Sequence, residues 1–232
     1  MAEAPPIPGS AAVPIRDAAT ILLIRRDLDE PAVLMGQRGS GAIFMPNKYV
    51  FPGGAVDPDD ATVPLAAPLS DACAHRLCQM AAPGRAAAIA AAAVRELWEE
   101  TGLILGRKGV WQTEPPRDWR AFAAAGYLPS AASLRFVFRA ITPSGRPRRF
   151  DARFFLADAA EIAGDLDDFS RASDELGHLH WVPLSAARQL NLPFITEVVL
   201  GEVAAEIGGQ SIGDGVAFFD NSGPVPAFRR LA

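Results

Sequence analysis

Hydrophobic positions follow two rhythms along this chain. Ala18 to Ile24 and Ala32 to Arg38 are short apolar runs separated by the charged turn Arg25 to Pro31, the form of two paired strands. Lys48 to Phe51 reads as a third strand. It runs into Pro52-Gly53-Gly54, where backbone without side chains can turn tightly or approach a ligand. Leu134 to Ile141 and Arg149 to Leu156 alternate as a strand pair about the turn Pro143-Ser144-Gly145, and His178 to Val182 reads as a further strand. The second rhythm is helical. After Pro83-Gly84, the Ala-rich segment Arg85 to Thr101 has high helix propensity and is closed by Gly102 in the C′ position. Ser70 to Met80, Asp118 to Ala125, Ser185 to Leu190 and Ile195 to Ile207 read as further helices. The succession predicts an α+β chain, a mixed β-sheet with helices layered on it.

The 232 residues, half of them hydrophobic, suffice for one large domain over 1–232. The Ala- and Pro-rich start, 1–14, reads as a flexible arm. The stretch 57–84, rich in Asp, Pro and Ala, reads as an inserted excursion, either a dimerisation surface or a loop over a site entrance. A formal charge of −5 from 22 basic and 27 acidic residues gives no global attraction to nucleic acid or to an anionic membrane. An anionic ligand would therefore be held by local groups or a cation. The start has no basic segment ahead of a long apolar run, so it does not read as a secretory signal. No apolar stretch approaches the ~18 residues that would span a bilayer. Cys73 and Cys78, with His75 between them, offer too few ligands for a metal site and read as idle thiols. So few cysteines suit a reducing cytoplasm.

The chemistry concentrates in Arg95-Glu96-Leu97-Trp98-Glu99-Glu100. Spacing of i, i+3 and i+4 places Glu96, Glu99 and Glu100 within an arc of about 100° on one helix face. Ala90, Val94, Leu97 and Trp98 lie on roughly the opposite side. One face can pack on a sheet while the other displays carboxylates. Like charges at this spacing repel by some tenths of a kcal/mol per pair, and they sit near the helix C-terminus, where the dipole disfavours anions. A hard divalent cation would reverse the sign of that energy, since Mg²⁺ prefers carboxylate and carbonyl oxygens.

Gly54, then Arg95-Glu96-Leu97-Trp98-Glu99-Glu100-Thr101-Gly102-Leu103, resembles the Nudix box, a glycine, a glutamate and then Arg-Glu-apolar-any-Glu-Glu-any-Gly-apolar. The second half agrees at every specified position. The first half departs twice: Asp60 stands where the family has Glu, and it lies 35 residues before Arg95, so 57–84 falls inside the box. The resemblance implies a Nudix-type α/β/α sandwich and a hydrolase of phosphoanhydrides that uses Mg²⁺ or Mn²⁺. It implies that Glu96, Glu99 and Glu100 bind the cations with the Gly54 carbonyl, that Arg95 orients Glu96 and Glu99, and that Asp60, or else Asp57, supports the arginine. A further carboxylate from a loop ahead of a late strand is implied too, Glu175 or its neighbour Asp174. Glu96, Glu99 and Glu175 are the candidates to accept a proton from the attacking water.

Outside the box, Leu34 to Arg38, Phe44-Met45-Pro46, Val50 to Gly54 and Arg148-Arg149-Phe150-Asp151 resemble the diphosphatases that act on coenzyme A and its acyl esters. Arg38, Arg149 and Phe150 are the candidate substrate contacts on that resemblance. The basic residues expected ahead of Phe-Pro-Gly-Gly are reduced to Lys48 between Arg38 and Phe51, which leaves ADP-ribose, dinucleotides and other nucleoside diphosphate derivatives as alternatives. A Nudix module that has lost catalysis and senses a nucleotide is the rival from another class. Family members often form homodimers, so a second copy is a further expected partner.

Overall fold

The computed structural model describes residues 13–42, 45–82, 84–210 and 214–232. Most of the expected arm, Phe44 and Pro83 lie outside them. β1 (Ile15–Arg25) and β2 (Ala32–Arg38) form the expected hairpin, with Ile24 opposite Val33. They then part, and the segment 49–55 fills the fork: β3 (Tyr49–Val50) pairs with β2, and β4 (Gly53–Ala55) pairs with β1. Next come α1 (Asp71–Cys78), α2 (Ala86–Thr101), a small antiparallel ribbon of β5 (Gly106–Lys108) and β6 (Tyr127–Pro129) enclosing α3 (Arg120–Ala124), and the hairpin β7 (Arg135–Ile141) and β8 (Arg149–Asp158). β9 (Leu176–Pro183), α4 (Leu184–Ala187), α5 (Phe194–Ile207), β10 (Val216–Asp220) and β11 (Ala227–Leu231) complete the chain.

The nine-stranded sheet runs β11-β10-β7-β8-β1-β2-β3, with β4 against β1 and β9 against β2. It is mixed, because β1 lies parallel to β8 and β10 parallel to β7 while the other pairs are antiparallel. β1 shows why the run Ala18 to Ile24 is apolar without a break: both of its faces are covered. Ala19, Ile21 and Leu23 enter the core under α2, while Leu22 and Ile24 enter a second core under α5 with Val199, Leu200 and Val203. Each fully buried leucine, isoleucine or valine among them contributes about 1.5–3 kcal/mol. Two cores on opposite faces of one sheet make the α/β/α sandwich.

The stretch 57–84 is built into this frame. Val63, Leu69, Cys73 and Leu77 turn inward to join the α2 core, while Met80 stays exposed. The Ser70 hydroxyl caps α1 by accepting from the Cys73 N–H. The helix expected at Ser185 to Leu190 is shorter, because the amides of Gln189 and Leu190 bond three residues back and tighten the chain into turns. Among the described residues no helix is long and apolar enough to cross a membrane.

Candidate active site

The fork between β1 and β2 is where chemistry can be placed. Gly53 and Gly54 cross it against Thr20 and Ala19, so close that a Cβ on Gly53 would fall 2.6 Å from the Ala19 carbonyl oxygen. α2 lies over β4 and ends where Gly102 adopts φ 77° and donates its N–H to the Trp98 carbonyl at 2.8 Å. The last turns of α2, carrying Arg95, Glu96, Glu99 and Glu100, therefore stand directly above the two glycines.

The sequence suggests a displayed acidic face; the structure covers it instead. Glu100 is 2 % exposed and Glu96 9 %, because β4 and the 3₁₀ turn Pro58–Thr62 pack on that side of the helix. Arg95, 3 % exposed, organises the enclosure. Its Nε and Nη2 donate to the two oxygens of Asp60 at 3.0 and 3.1 Å, and Nη2 also donates to the Ala55 carbonyl at 2.9 Å. Nη1 lies between Glu96 Oε1 at 2.9 Å and Glu99 Oε2 at 3.0 Å. Asp60 thus holds the arginine, while the half-exposed Asp57 stands 3.7 Å away. Glu100 accepts the Gly53 N–H at 2.8 Å, so it ties the helix to the fork.

Burial sets the electrostatics. It pushes Glu96 up to about 7, against the pull of Arg95 and with repulsion from Glu99 and Glu175 added. Glu100 is also held well above the ordinary carboxylate range, by burial first and then by Glu96. Glu99 is raised less, by burial, with Asp118 and Asp60 contributing repulsion. Burial works against the Arg95 cation, but its bonds to Asp60 and the charges of Glu96 and Glu99 outweigh that and hold the guanidinium protonated.

Glu175 stands at the exposed rim, close enough for its charge to act on Glu96 and Glu100, in a loop fixed to the end of α2 by the Ser173 N–H and the Glu99 carbonyl at 2.9 Å. Arg38, at the end of β2, acts on Glu100 in the opposite sense, and its buried Nε has no hydrogen-bond partner among the described residues. Arg149 is not brought to the carboxylates. It sits opposite Ile15, four register positions or about 13 Å along β1 from the partner of Gly54. Its Nε donates to the Thr142 carbonyl at 3.0 Å and Nη2 to the Asn221 carbonyl at 2.9 Å. Arg149, a candidate substrate contact in the sequence, here clasps two strand ends, and Phe150 is held beside it, its N–H donating to the Thr142 hydroxyl. Two residues near the site escaped the sequence reading: Asp118, whose charge reaches Glu99, and Trp119, which donates its indole N–H to Asp60 Oδ1 at 3.2 Å. Both lie beyond the box in a segment whose pattern signals only a short helix.

The donor chemistry fits a hard divalent cation. Glu96 rests on Gly54, where a Cβ would collide with both carboxylate oxygens, so this oxygen donor is seated directly on the backbone at residue 54. Among the described residues no three such side chains converge tightly enough to cage a cation unaided, since Arg95 lies between Glu96 and Glu99. Mg²⁺ tolerates this, because it retains waters and shares ligands with bound phosphates.

No family model matches the chain. A curated Caenorhabditis elegans protein, provisionally named nudix hydrolase 7, is 32 % identical over 179 residues, 72 % of this chain and 51 % of that protein. The chain therefore spans about half the length of this relative. Among solved structures, a Nudix hydrolase from Alicyclobacillus acidocaldarius is similar with a TM-score of 0.60 and 27 % identity over 88 % of this chain and 100 % of that one. A MutT protein from Methanosarcina mazei shares the fold at a TM-score of 0.50 and 17 % identity, over 85 % and 99 % of the two chains. With an α/β/α sandwich and an arginine-centred carboxylate cluster closed by Thr101-Gly102-Leu103, the chain belongs to the Nudix hydrolase superfamily.

Proposed function

We infer that this protein hydrolyses a diphosphate linkage in a nucleoside diphosphate joined to another moiety, with Mg²⁺ or Mn²⁺. The observation that carries this reading is Arg95 Nη1 held between Glu96 and Glu99 while Asp60 grips the other edge of the guanidinium. Such a lattice fixes two carboxylates without consuming all of their oxygens. Glu96, Glu99, Glu100 and the Gly54 carbonyl would hold the cation, with Glu175 reaching in from the rim. When bound, the cation supplies charge neutralisation at the diphosphate and acidifies the attacking water. Glu96, Glu99 or Glu175 accepts the proton of that water. Arg38 brings a guanidinium whose Nε has no hydrogen-bond partner among the described residues, suited to a phosphate oxygen. Coenzyme A and its acyl esters come first as substrates on the sequence features around Arg38 and Phe51, followed by ADP-ribose and dinucleotides.

The test is release of phosphate monoester from coenzyme A, an acyl-coenzyme A, ADP-ribose, NADH and a diadenosine polyphosphate, with either metal, by wild type and Glu99→Gln. One substrate should be cut, and the variant should lose about 100-fold or more. No turnover on the whole panel, alongside tight binding of one nucleotide, would establish a sensing module instead.

A further inference from the structure

Asp60 is 1 % exposed, and four protein donors surround it. Oδ1 accepts from Arg95 Nε at 3.0 Å and from the Trp119 indole at 3.2 Å. Oδ2 accepts from Arg95 Nη2 at 3.1 Å and from the Asp57 N–H at 2.9 Å. Together the four donors fix the carboxylate plane against Arg95. The indole is the one donor of the four that comes from outside the box and its insertion, on the 3₁₀ turn Arg117–Trp119.

Its ring is locked. Trp119 is 1 % exposed, meets Phe122 edge-on at 5.4 Å and lies tilted against Trp111 at 6.0 Å. Phe122 in turn meets Trp98 of α2 edge-on at 5.7 Å, so an aromatic stack braces the indole against the helix that carries the carboxylates. Aspartate is one methylene shorter than the glutamate of the family pattern, and a donor fixed on its far side sets where its oxygens stand.

We propose that Trp119 is a positioning residue of this active site, whose indole N–H holds Asp60 in register with Arg95 and through it places Glu96 and Glu99 for the cation. This rests on the reading of the Arg95 cluster as catalytic. The relay is Trp119 to Asp60 to Arg95 to the two glutamates, each link a hydrogen bond of 2.9–3.2 Å. Partners one step removed from metal ligands typically matter 10–100-fold for metal affinity.

Trp119→Phe keeps a ring in the stack and deletes the N–H. Mn²⁺ binding by calorimetry, kcat and KM are measured for wild type, Trp119→Phe, Asp60→Asn and the double variant, with Leu200→Ala, in the core under α5, as the packing control. Trp119→Phe should weaken Mn²⁺ binding about 10-fold and lower kcat with KM little changed. In the Asp60→Asn background the same change should add little, because the link is already cut. Leu200→Ala should lower thermal stability and leave Mn²⁺ affinity in place. Wild-type affinity in Trp119→Phe, effects that multiply with Asp60→Asn, or an equal loss in Leu200→Ala would each overturn the positioning role. A wild type that neither binds Mn²⁺ nor cuts any substrate overturns the catalytic reading itself, which is a different result.

Discussion

Glu96 lies against the backbone of Gly54, and a Cβ at residue 54 would fall 2.5 Å from its carboxyl carbon. The contact exists because residue 54 has no side chain. Gly54→Ala would therefore push the Glu96 carboxylate out of its cradle. What moves is the end of a flexible side chain, so the fold should survive with a small change in Tm. A displacement near 1 Å at reacting groups costs about 100-fold in rate, and kcat of Gly54→Ala should fall by that order. Normal turnover in the variant would show that Glu96 does not act from this position.

Arg38 offers a second separation of roles. Its Nε is buried with no hydrogen-bond partner among the described residues, and its charge acts on Glu100. If it meets a substrate phosphate, Arg38→Ala should raise KM about 10-fold, the effect of losing one charge-assisted hydrogen bond, with Tm and Mn²⁺ affinity unchanged. Arg38→Lys should recover only part, because an ammonium lacks the planar fork. A variant that loses Mn²⁺ affinity with KM unmoved would instead assign Arg38 to neutralising Glu100.

The helix Ala86–Thr101 and the hairpin β1–β2 were legible in the sequence because each carries a local signal: alanine propensity with a terminal glycine, and apolar runs around a charged turn. Glu96, Glu99 and Arg95 were legible for the same reason, since one helical stretch holds them all. What local pattern cannot express is enclosure. The helical projection of Glu96 and Glu100 says which way they point and nothing of β4 and the 58–62 turn that bury them. An arginine beside a turn has the same local pattern whether it meets a phosphate or, as Arg149 does, two carbonyls of its own chain. β10 and β11 went unread: each is five residues long, and pairing with β7 and with each other, at large separation, defines them. Trp119 was invisible in this sense, for its partner Asp60 is distant in sequence.

Away from the carboxylates, Asp151 balances two buried arginines. It accepts Arg139 Nε and Nη2 at 2.8 and 2.7 Å and meets Arg153 Nη2 at 3.1 Å. Asp17 also pairs with Arg153 and meets Arg85 at 2.6 Å. Both guanidinium groups at Asp151 are nearly inaccessible, so its removal strands positive charge in the interior. Asp151→Ala should cost about 3–5 kcal/mol, read as a lower urea midpoint, while kcat of the folded enzyme stays near wild type. A variant as stable as wild type would show that Asp17 alone suffices.

The two free cysteines should part company under a thiol reagent. Cys78 is exposed, whereas Cys73 is buried, with its Sγ accepting the Phe136 N–H at 3.3 Å and donating to the Leu134 carbonyl at 3.7 Å. Burial raises the Cys73 thiol above its ordinary value of 9.0, with the Phe136 N–H pulling the other way. The reactive species is the thiolate. At about pH 8 the native protein should titrate one thiol quickly, and both should react once urea unfolds it. The raised value also fixes a sign: the stabilisation from Cys73 is complete below the ordinary thiol range and is lost as pH climbs through the folded value. Cys73→Ala should therefore flatten the decline of stability with pH in the alkaline range. Rapid modification of both thiols in the native protein would mean that α1 opens readily from β7, and the inward packing of 57–84 would then be only transient.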